Sequence, residues 1–342
     1  MAAPGLGATG RYDRAMSYPA RRMRRLRATS ALRRLVAETR LRPDDLVCPV
    51  FVREGIDEPQ PIPTLPGVVQ HTVDSLVVEA KRLVSLGVPA LICFGVPEEK
   101  DAVGSQAWAP DGIVQVALRA VRDAVGDDLV VMADLCLDEY TDHGHCGILR
   151  PDGVVDNDAT LERYQLVAVA QASAGAAVVA PSGMMDGQVG AIRAALDGGG
   201  YGETAILAYS AKYASALYGP FRDAVDVAIA GGGDRRGYQQ DWANATEALA
   251  EVRLDLEEGA DMVMVKPALC YLDVLAAVRR EVDVPVGAYQ VSGEYAMVKF
   301  AAERGAIDHD AVMLEQLTSI LRAGASFVLT YFAAEAAELL GG

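Results

Sequence analysis

The sequence predicts an α/β protein, a (β/α)8 TIM barrel preceded by an N-terminal arm. Three features carry that expectation: eight short apolar runs, helix-period segments between them, and polar residues gathered at the C-terminal ends of the runs. The runs are 45–52 (DLVCPVFV), 90–96 (ALICFGV), 129–135 (LVVMADL), 176–182 (AAVVAPS), 205–210 (AILAYS), 262–268 (MVMVKPA), 286–292 (VGAYQVS) and 327–332 (FVLTYF). They are continuously apolar rather than alternating, as strands of a parallel sheet covered by helices should be.

Between the runs, segments such as 74–86, 158–173, 187–196, 243–258, 271–281 and 309–323 place apolar residues three and four apart, the period of an amphipathic helix. Strand–helix alternation implies parallel pairing through right-handed crossovers. An open doubly wound sheet is the alternative, but no GxGxxG follows the first run. Residues 1–40 hold no strand and are rich in Arg and Ala, which predicts an arm for subunit contacts; 41–342 is then the catalytic barrel.

The chain has 342 residues, 51% hydrophobic and 23% charged, ample for one large core. Its net charge of −16 repels phosphate backbones and anionic lipid, so no nucleic-acid or membrane partner is expected and the substrate should be small. The basic cluster Arg21, Arg22, Arg24, Arg25, Arg27, Arg33 and Arg34 reads as part of an arm docking on acidic neighbouring subunits; Asp13 argues against a transit peptide. No signal-peptide core and no run of about 18 apolar residues occurs, so the expected location is cytoplasmic. Five cysteines in such a chain are buried apolar residues or ligands, not a disulfide framework.

Barrel enzymes carry their chemistry at the C-terminal strand ends, where this sequence places Asp134, Ser182, Lys212, Lys266, Ser292 and Tyr331. Two lysines on neighbouring strands are costly to bury unless used. Each should lower the other's pKa by like-charge repulsion, and desolvation acts the same way. A lysine of pKa ~10.4 is neutral about one part in a thousand near pH 7.4, whereas a pKa near that pH leaves about half of it nucleophilic. A neutral lysine and a carbonyl substrate give a Schiff base. The bland alternative is that each ammonium pairs with Asp134 or another carboxylate and closes the barrel end.

The loop DLCLDEYTDHGHCG, 134–147, gathers Cys136, Asp138 and Cys146 with His143 and His145. Thiolate, carboxylate and imidazole are all zinc ligands, and three protein ligands plus water is the catalytic pattern; against this stands simple burial of Cys136 as a small hydrophobe. A long Gly-rich loop, 218–241, carries Arg222 and Arg235, whose forked donors suit a substrate carboxylate or simply water.

Several segments together resemble the porphobilinogen synthase (delta-aminolevulinic acid dehydratase) family: YSAKYASALYGPFRDA (209–224), GDRRGYQ (233–239), GADMVMVKPALCYLD (259–273), YQVSGEYAM (289–297), APSGMMDG (180–187) and the 134–147 loop. Residues 24–55 resemble that family's arm and first strand. The resemblance, which runs from about Arg21 to about Tyr331, implies condensation of two 5-aminolevulinate molecules into porphobilinogen, in tetrapyrrole (heme) biosynthesis. It casts Lys266 and Lys212 as the lysines that hold the two ketones. Arg222, Arg235 and Gln239 would grip one carboxylate, and Ser292 and Tyr331 the other. Asp134 and Ser182 would receive the free amino group, with Tyr218 and Phe221 shaping the lid. It further implies Zn2+ on Cys136, Asp138 and Cys146, an allosteric Mg2+ near Glu251, and a homo-octamer built by arm exchange.

The chain departs from the family in three places. Asp138 stands where the zinc form has a third cysteine, so help from His145 or water is expected there. Gly237 replaces the cysteine of a second zinc site. Gly183 replaces an acid usual after the serine. A class I aldolase-type barrel would need only Lys266, and an inert scaffold would need neither lysine.

Overall fold

The computed structural model describes residues 18, 20–230 and 233–341. Residues 1–17 and 19 of the expected arm, and 231–232 of the long loop, lie outside the described residues. Residues up to Arg40 form one compact unit and Leu41–Gly342 another. The first holds a 3-10 turn over Met23–Arg27 and the helix α1 (Ser30–Leu35), neither with a buried residue.

The second unit is a closed barrel with helices around it. Its strands are β1 (Leu46–Arg53), β4 (Ala90–Val96), β5 (Val130–Leu135), β6 (Val178–Pro181), β7 (Ala205–Lys212), β8 (Met262–Lys266), β9 (Val286–Gln290) and β10 (Phe327–Thr330). Each pairs in parallel with the next, and β10 closes on β1 through Leu46↔Val328 and Val47↔Leu329. The eight expected runs are these eight strands, trimmed or extended by a few residues. Two short strands, β2 (Gln60–Pro61) and β3 (Val69–His71), form a side flap on β1 that the apolar pattern gave no sign of. Two to three residues rich in Gln, Pro and His are too short and polar to register as a run.

The helices are α2 (Val73–Ser85), α3 (Ile113–Val125), α4 (Asn157–Ser173), α5 (Gln188–Gly198), α6 (Gly219–Ala224), α7 (Thr246–Glu257), α8 (Leu272–Glu281), α9 (Ser292–Glu303), α10 (His309–Ala323) and α11 (Ala333–Gly341). Their starts are chemically marked: Thr72, Asp156 and Asp308 accept hydrogen bonds from the amides of Ser75, Ala159 and Ala311. Each such cap is worth about 1 kcal/mol. Leu76, Ala80 and Leu83 bury one face of α2, and Ala117, Leu118 and Val121 one face of α3. β4 is buried at every position, as a parallel strand between helices and barrel interior must be. Among the described residues no helix is long and apolar enough to cross a membrane.

Candidate active site

The strand register sets the centre of the site. The last residues of β7 and β8, Lys212 and Lys266, are directly paired neighbours, so both side chains leave the same rim of the barrel. A register shift between Ala208 and Ala211 precedes the pair. Both lysines are nearly fully buried, 4% and 5% exposed, which decides that they are not solvated surface charges.

Their surroundings differ. Lys266 Nζ lies 4.4 Å from the centre of the Tyr289 ring, 5.0 Å from that of Tyr209, and 5.3 Å from those of Tyr218 and Phe221. Burial in this aromatic box, then the charge of Lys212, lowers its pKa to about 7. Lys212 donates to the Ser182 carbonyl. Burial also works against its charge, but Cys146, Cys136, Asp138 and Asp134 outweigh it and hold Lys212 above the ordinary lysine value. Both lysines were expected to be depressed; that direction holds for Lys266 alone. Lys212 faces acids and thiols, and these stabilise its proton.

Asp134, at the end of β5, accepts a 2.9 Å hydrogen bond from Ser182 Oγ, and burial pushes its carboxyl up to about 6 against the pull of both lysines. Phe94, Asp134, Ser182, both lysines, Phe221 and the two arginines line one narrow cavity of about 10 Å3. Arg222 and Arg235 also line an open cleft of about 490 Å3 with Gln239. They thus stand at the boundary between the lysines and the outside. Arg222 Nε and Gln239 Nε2 are buried atoms with no hydrogen-bond partner among the described residues, so a carboxylate arriving there would meet unused donors.

Ser292 and Tyr331 are buried one layer further round. Ser292 Oγ accepts from the Phe221 amide at 3.0 Å and donates to the Leu217 carbonyl at 3.3 Å. The Tyr331 hydroxyl is 3.1 Å from that of Tyr289, the ring nearest Lys266. Tyr218 donates to the Tyr213 carbonyl at 2.7 Å.

The Sγ atoms of Cys136 and Cys146 and one carboxylate oxygen of Asp138 lie within 4.8 Å of one another, all buried. Asp138 Oδ1 is 3.6 Å from Cys146 Sγ, while Oδ2 pairs with Arg235 Nη2 at 2.8 Å. Burial opposes a thiolate at Cys146, yet the Cys136 thiol and the Arg235 charge bring its pKa below the usual value. Burial opposes the Asp138 carboxylate as well, yet the Arg235 charge holds it below the usual carboxylate range, whereas burial pushes the Cys136 thiol up. Two thiols and a carboxylate that converge are nonetheless a donor set that fits a divalent zinc-like ion. His145 is not among them: its Nδ1 is 3.2 Å from the Tyr238 hydroxyl.

Glu251 is half-buried beside an open cleft of about 680 Å3 that also takes in Asp186 and Glu247. Burial and then these acids, with Glu258, raise its pKa. Among the described residues no three potential ligand atoms converge there.

Sequence reasoning missed several participants. Tyr164, on α4, donates to the Cys146 carbonyl at 2.7 Å and sits 3.9 Å from Cys136 Sγ. A Cβ on Gly183 would fall 1.6 Å from the Tyr164 hydroxyl oxygen, so the glycine that replaces the expected acid makes room for this tyrosine. Tyr209 and Tyr289 were legible only as strand aromatics, and Glu139, which lines the same cavity as the lysines, only as an ordinary acid.

The family model described as delta-aminolevulinic acid dehydratase matches residues 20–339. The chain belongs to that family. The dehydratase of Streptomyces coelicolor is 62% identical over 326 residues, covering 95% of this chain and 98% of its own. That of Mycobacterium tuberculosis is 60% identical over the same length, with the same coverage. Among solved structures, the Toxoplasma gondii dehydratase (porphobilinogen synthase) in complex with its reaction product porphobilinogen superimposes with a TM-score of 0.91 at 44% identity. That match covers 93% of this chain and 91% of the other. The barrel described above is therefore a delta-aminolevulinic acid dehydratase fold.

Proposed function

We propose that this enzyme condenses two molecules of 5-aminolevulinate into porphobilinogen with loss of two waters, using Lys266 and Lys212 as Schiff-base lysines. The observation that carries the residue assignment is the paired register of the two lysines, with Lys266 brought to about 7 in its aromatic box. At neutral pH about half of Lys266 is then free amine, ready to add to a ketone and expel its oxygen as water. Lys212 stays protonated in the free enzyme. It serves first as a cation beside the reacting groups and must give up its proton before it can form an imine of its own.

Arg222, Arg235 and Gln239 are assigned to one substrate carboxylate, because they line the cleft that adjoins the lysines and each keeps a buried donor without a partner among the described residues. Ser292 and Tyr331 are assigned to the other, and Asp134 with Ser182 to the free amino group. Tyr218 and Phe221 form the cover over Lys266. The cavity of about 10 Å3 has room for about one water, too little for 5-aminolevulinate, so this cover must shift to admit substrate.

Cys136, Asp138 and Cys146 would hold Zn2+, which when bound supplies Lewis-acid polarisation of a substrate oxygen. Glu251 would hold Mg2+ through its waters, as hard, reluctantly dehydrated cations prefer. The arm exposes Met23, Leu26, Leu35 and Val36, between 43% and 73% accessible, a pattern that suits docking on a second copy within a homo-octamer. We place the protein in the cytoplasm on the sequence expectation stated above.

Borohydride reduction in the presence of 5-aminolevulinate tests the central assignment. One substrate-derived mass should appear on the peptide containing Lys266, and Lys266→Ala should lose that label and essentially all turnover. Label on another lysine, with Lys266 unmodified, would refute it.

A further inference from the structure

Glu294 is a buried carboxylate, 1% exposed, that none of the assignments above employs. It lies in the first turn of α9, two residues after Ser292. Its Oε1 accepts from the Leu269 amide at 2.7 Å, and its Oε2 accepts from Val291 at 2.8 Å and from Ala268 at 3.4 Å. Ala268 and Leu269 belong to the segment that follows Lys266, and Val291 precedes Ser292. A carboxylate that merely capped its own helix would engage Val291 alone.

The start of α9 is also pressed against the cover. Ser292 bonds to the backbone of both Phe221 and Leu217. A Cβ on Gly293 would fall 2.6 Å from the Leu217 carbonyl oxygen, so the two backbones meet as closely as glycine permits.

We infer that Glu294 is a positioning residue for the reaction: through backbone amides, one buried carboxylate fixes both the segment leaving Lys266 and the helix start that carries Ser292 and meets the cover. Burial pushes the Glu294 carboxyl up to about 7 against the pull of these amides, so about half of it is ionised at neutral pH. In that form its bonds to backbone amides are short, directional and stronger than neutral ones, and so suit alignment of two chain segments. Loss of this staple lets the Lys266 amine drift independently of Ser292 and of the cover that it meets. The inference rests on Lys266 being the imine-forming lysine.

The test is the rate of borohydride-trapped imine at Lys266, followed by peptide mass, on the full-length protein well below its unfolding temperature. Two ketones are compared: levulinate, and 2-pentanone, which lacks the carboxylate. In Glu294→Gln, trapping should slow by about tenfold with both ketones, the scale expected of small misplacements in a reacting pair, while far-UV circular dichroism is unchanged. A carboxylate that only stabilised the fold would lower the unfolding midpoint and leave trapping per folded molecule as in wild type; that result overturns the inference. Should Glu294→Gln not fold, Glu294→Asp carries the test, since it keeps the charge but is too short to reach both segments. Its trapping should slow by about threefold, and a wild-type rate overturns the inference. Failure of the underlying reading is separately visible, because wild-type label would then fall outside Lys266 before any Glu294 variant is compared.

Discussion

Replacing Lys212 with methionine should move the titration of its neighbour. In the wild type, Lys266 has been brought from 10.5 to about 7, first by burial and second by the Lys212 charge. The whole shift corresponds to about 5 kcal/mol of penalty on the ammonium form. A like charge at a shared site is worth about one pKa unit or more, so Lys212→Met should raise the Lys266 midpoint to about 8 or above. The assay is borohydride trapping of levulinate at Lys266 across pH, which needs no second imine and so survives the loss of turnover. At about pH 6, below both midpoints, the variant should hold about tenfold less neutral amine than wild type. Well above both midpoints the two amines should be equally neutral. A midpoint that stays put or falls would show that Lys212 does not repel Lys266. The same shift fixes a stability trend. The folded pKa lies below the unfolded value, so the unfolded chain binds more protons between about pH 7 and 10.5. Stability should therefore gain from Lys266 as pH rises through that window, by at most about 5 kcal/mol.

Cys136→Ser and Cys146→Ser should each lower bound zinc, measured by metal analysis, along with activity; full activity in a chelated, zinc-free wild type would refute the metal assignment. Asp138→Cys should tighten zinc, a thiolate being the softer ligand, yet raise KM, because Arg235 loses its 2.8 Å carboxylate partner. Gly183→Ala should destabilise the protein by about 1–3 kcal/mol in urea titration, the usual cost of an overpacked site, and weaken zinc retention by displacing Tyr164; wild-type values in both measurements would show that the tyrosine moves freely. Deleting residues 1–35 should shrink the particle in sizing with light scattering, and an unchanged particle would show that the arm makes no subunit contact.

The barrel was legible because each of its eight strands is buried along nearly its whole length, so apolar composition and position coincide. The flap of β2 and β3 was not, since two or three polar residues carry no period. At the site, the sequence revealed which residues end strands, and strand ends in parallel register share a rim; this is how Lys212 and Lys266 were found together. What stayed hidden depends on distance across the barrel. Nothing in the 134–147 loop says that Asp138 turns one oxygen to Cys146 and the other to Arg235, nearly a hundred residues on. Nor does Gly183 announce that its missing Cβ is the space occupied by Tyr164 from α4. The help expected from His145 is not there either, for its ring lies against Tyr238.

The two lysines show why residue type alone could not assign their roles. They are neighbours in register and almost equally buried, so desolvation pushes both toward the neutral amine. What separates them is the side of the rim each faces. Lys266 is surrounded by rings that offer only weak attraction to a cation, and the charge that acts on it most is another ammonium. Lys212 faces the thiols and carboxylates of the 134–147 loop, which restore its proton. The same loop residues that converge as a metal site thus also divide the labour of the amines. It follows that altering that loop should act at a distance: Asp138→Asn removes a negative charge that supports the ammonium of both lysines. The trapping midpoint of Lys266 should therefore fall below its wild-type value, the opposite direction from Lys212→Met, and an upward move in both variants would break the electrostatic account of the site.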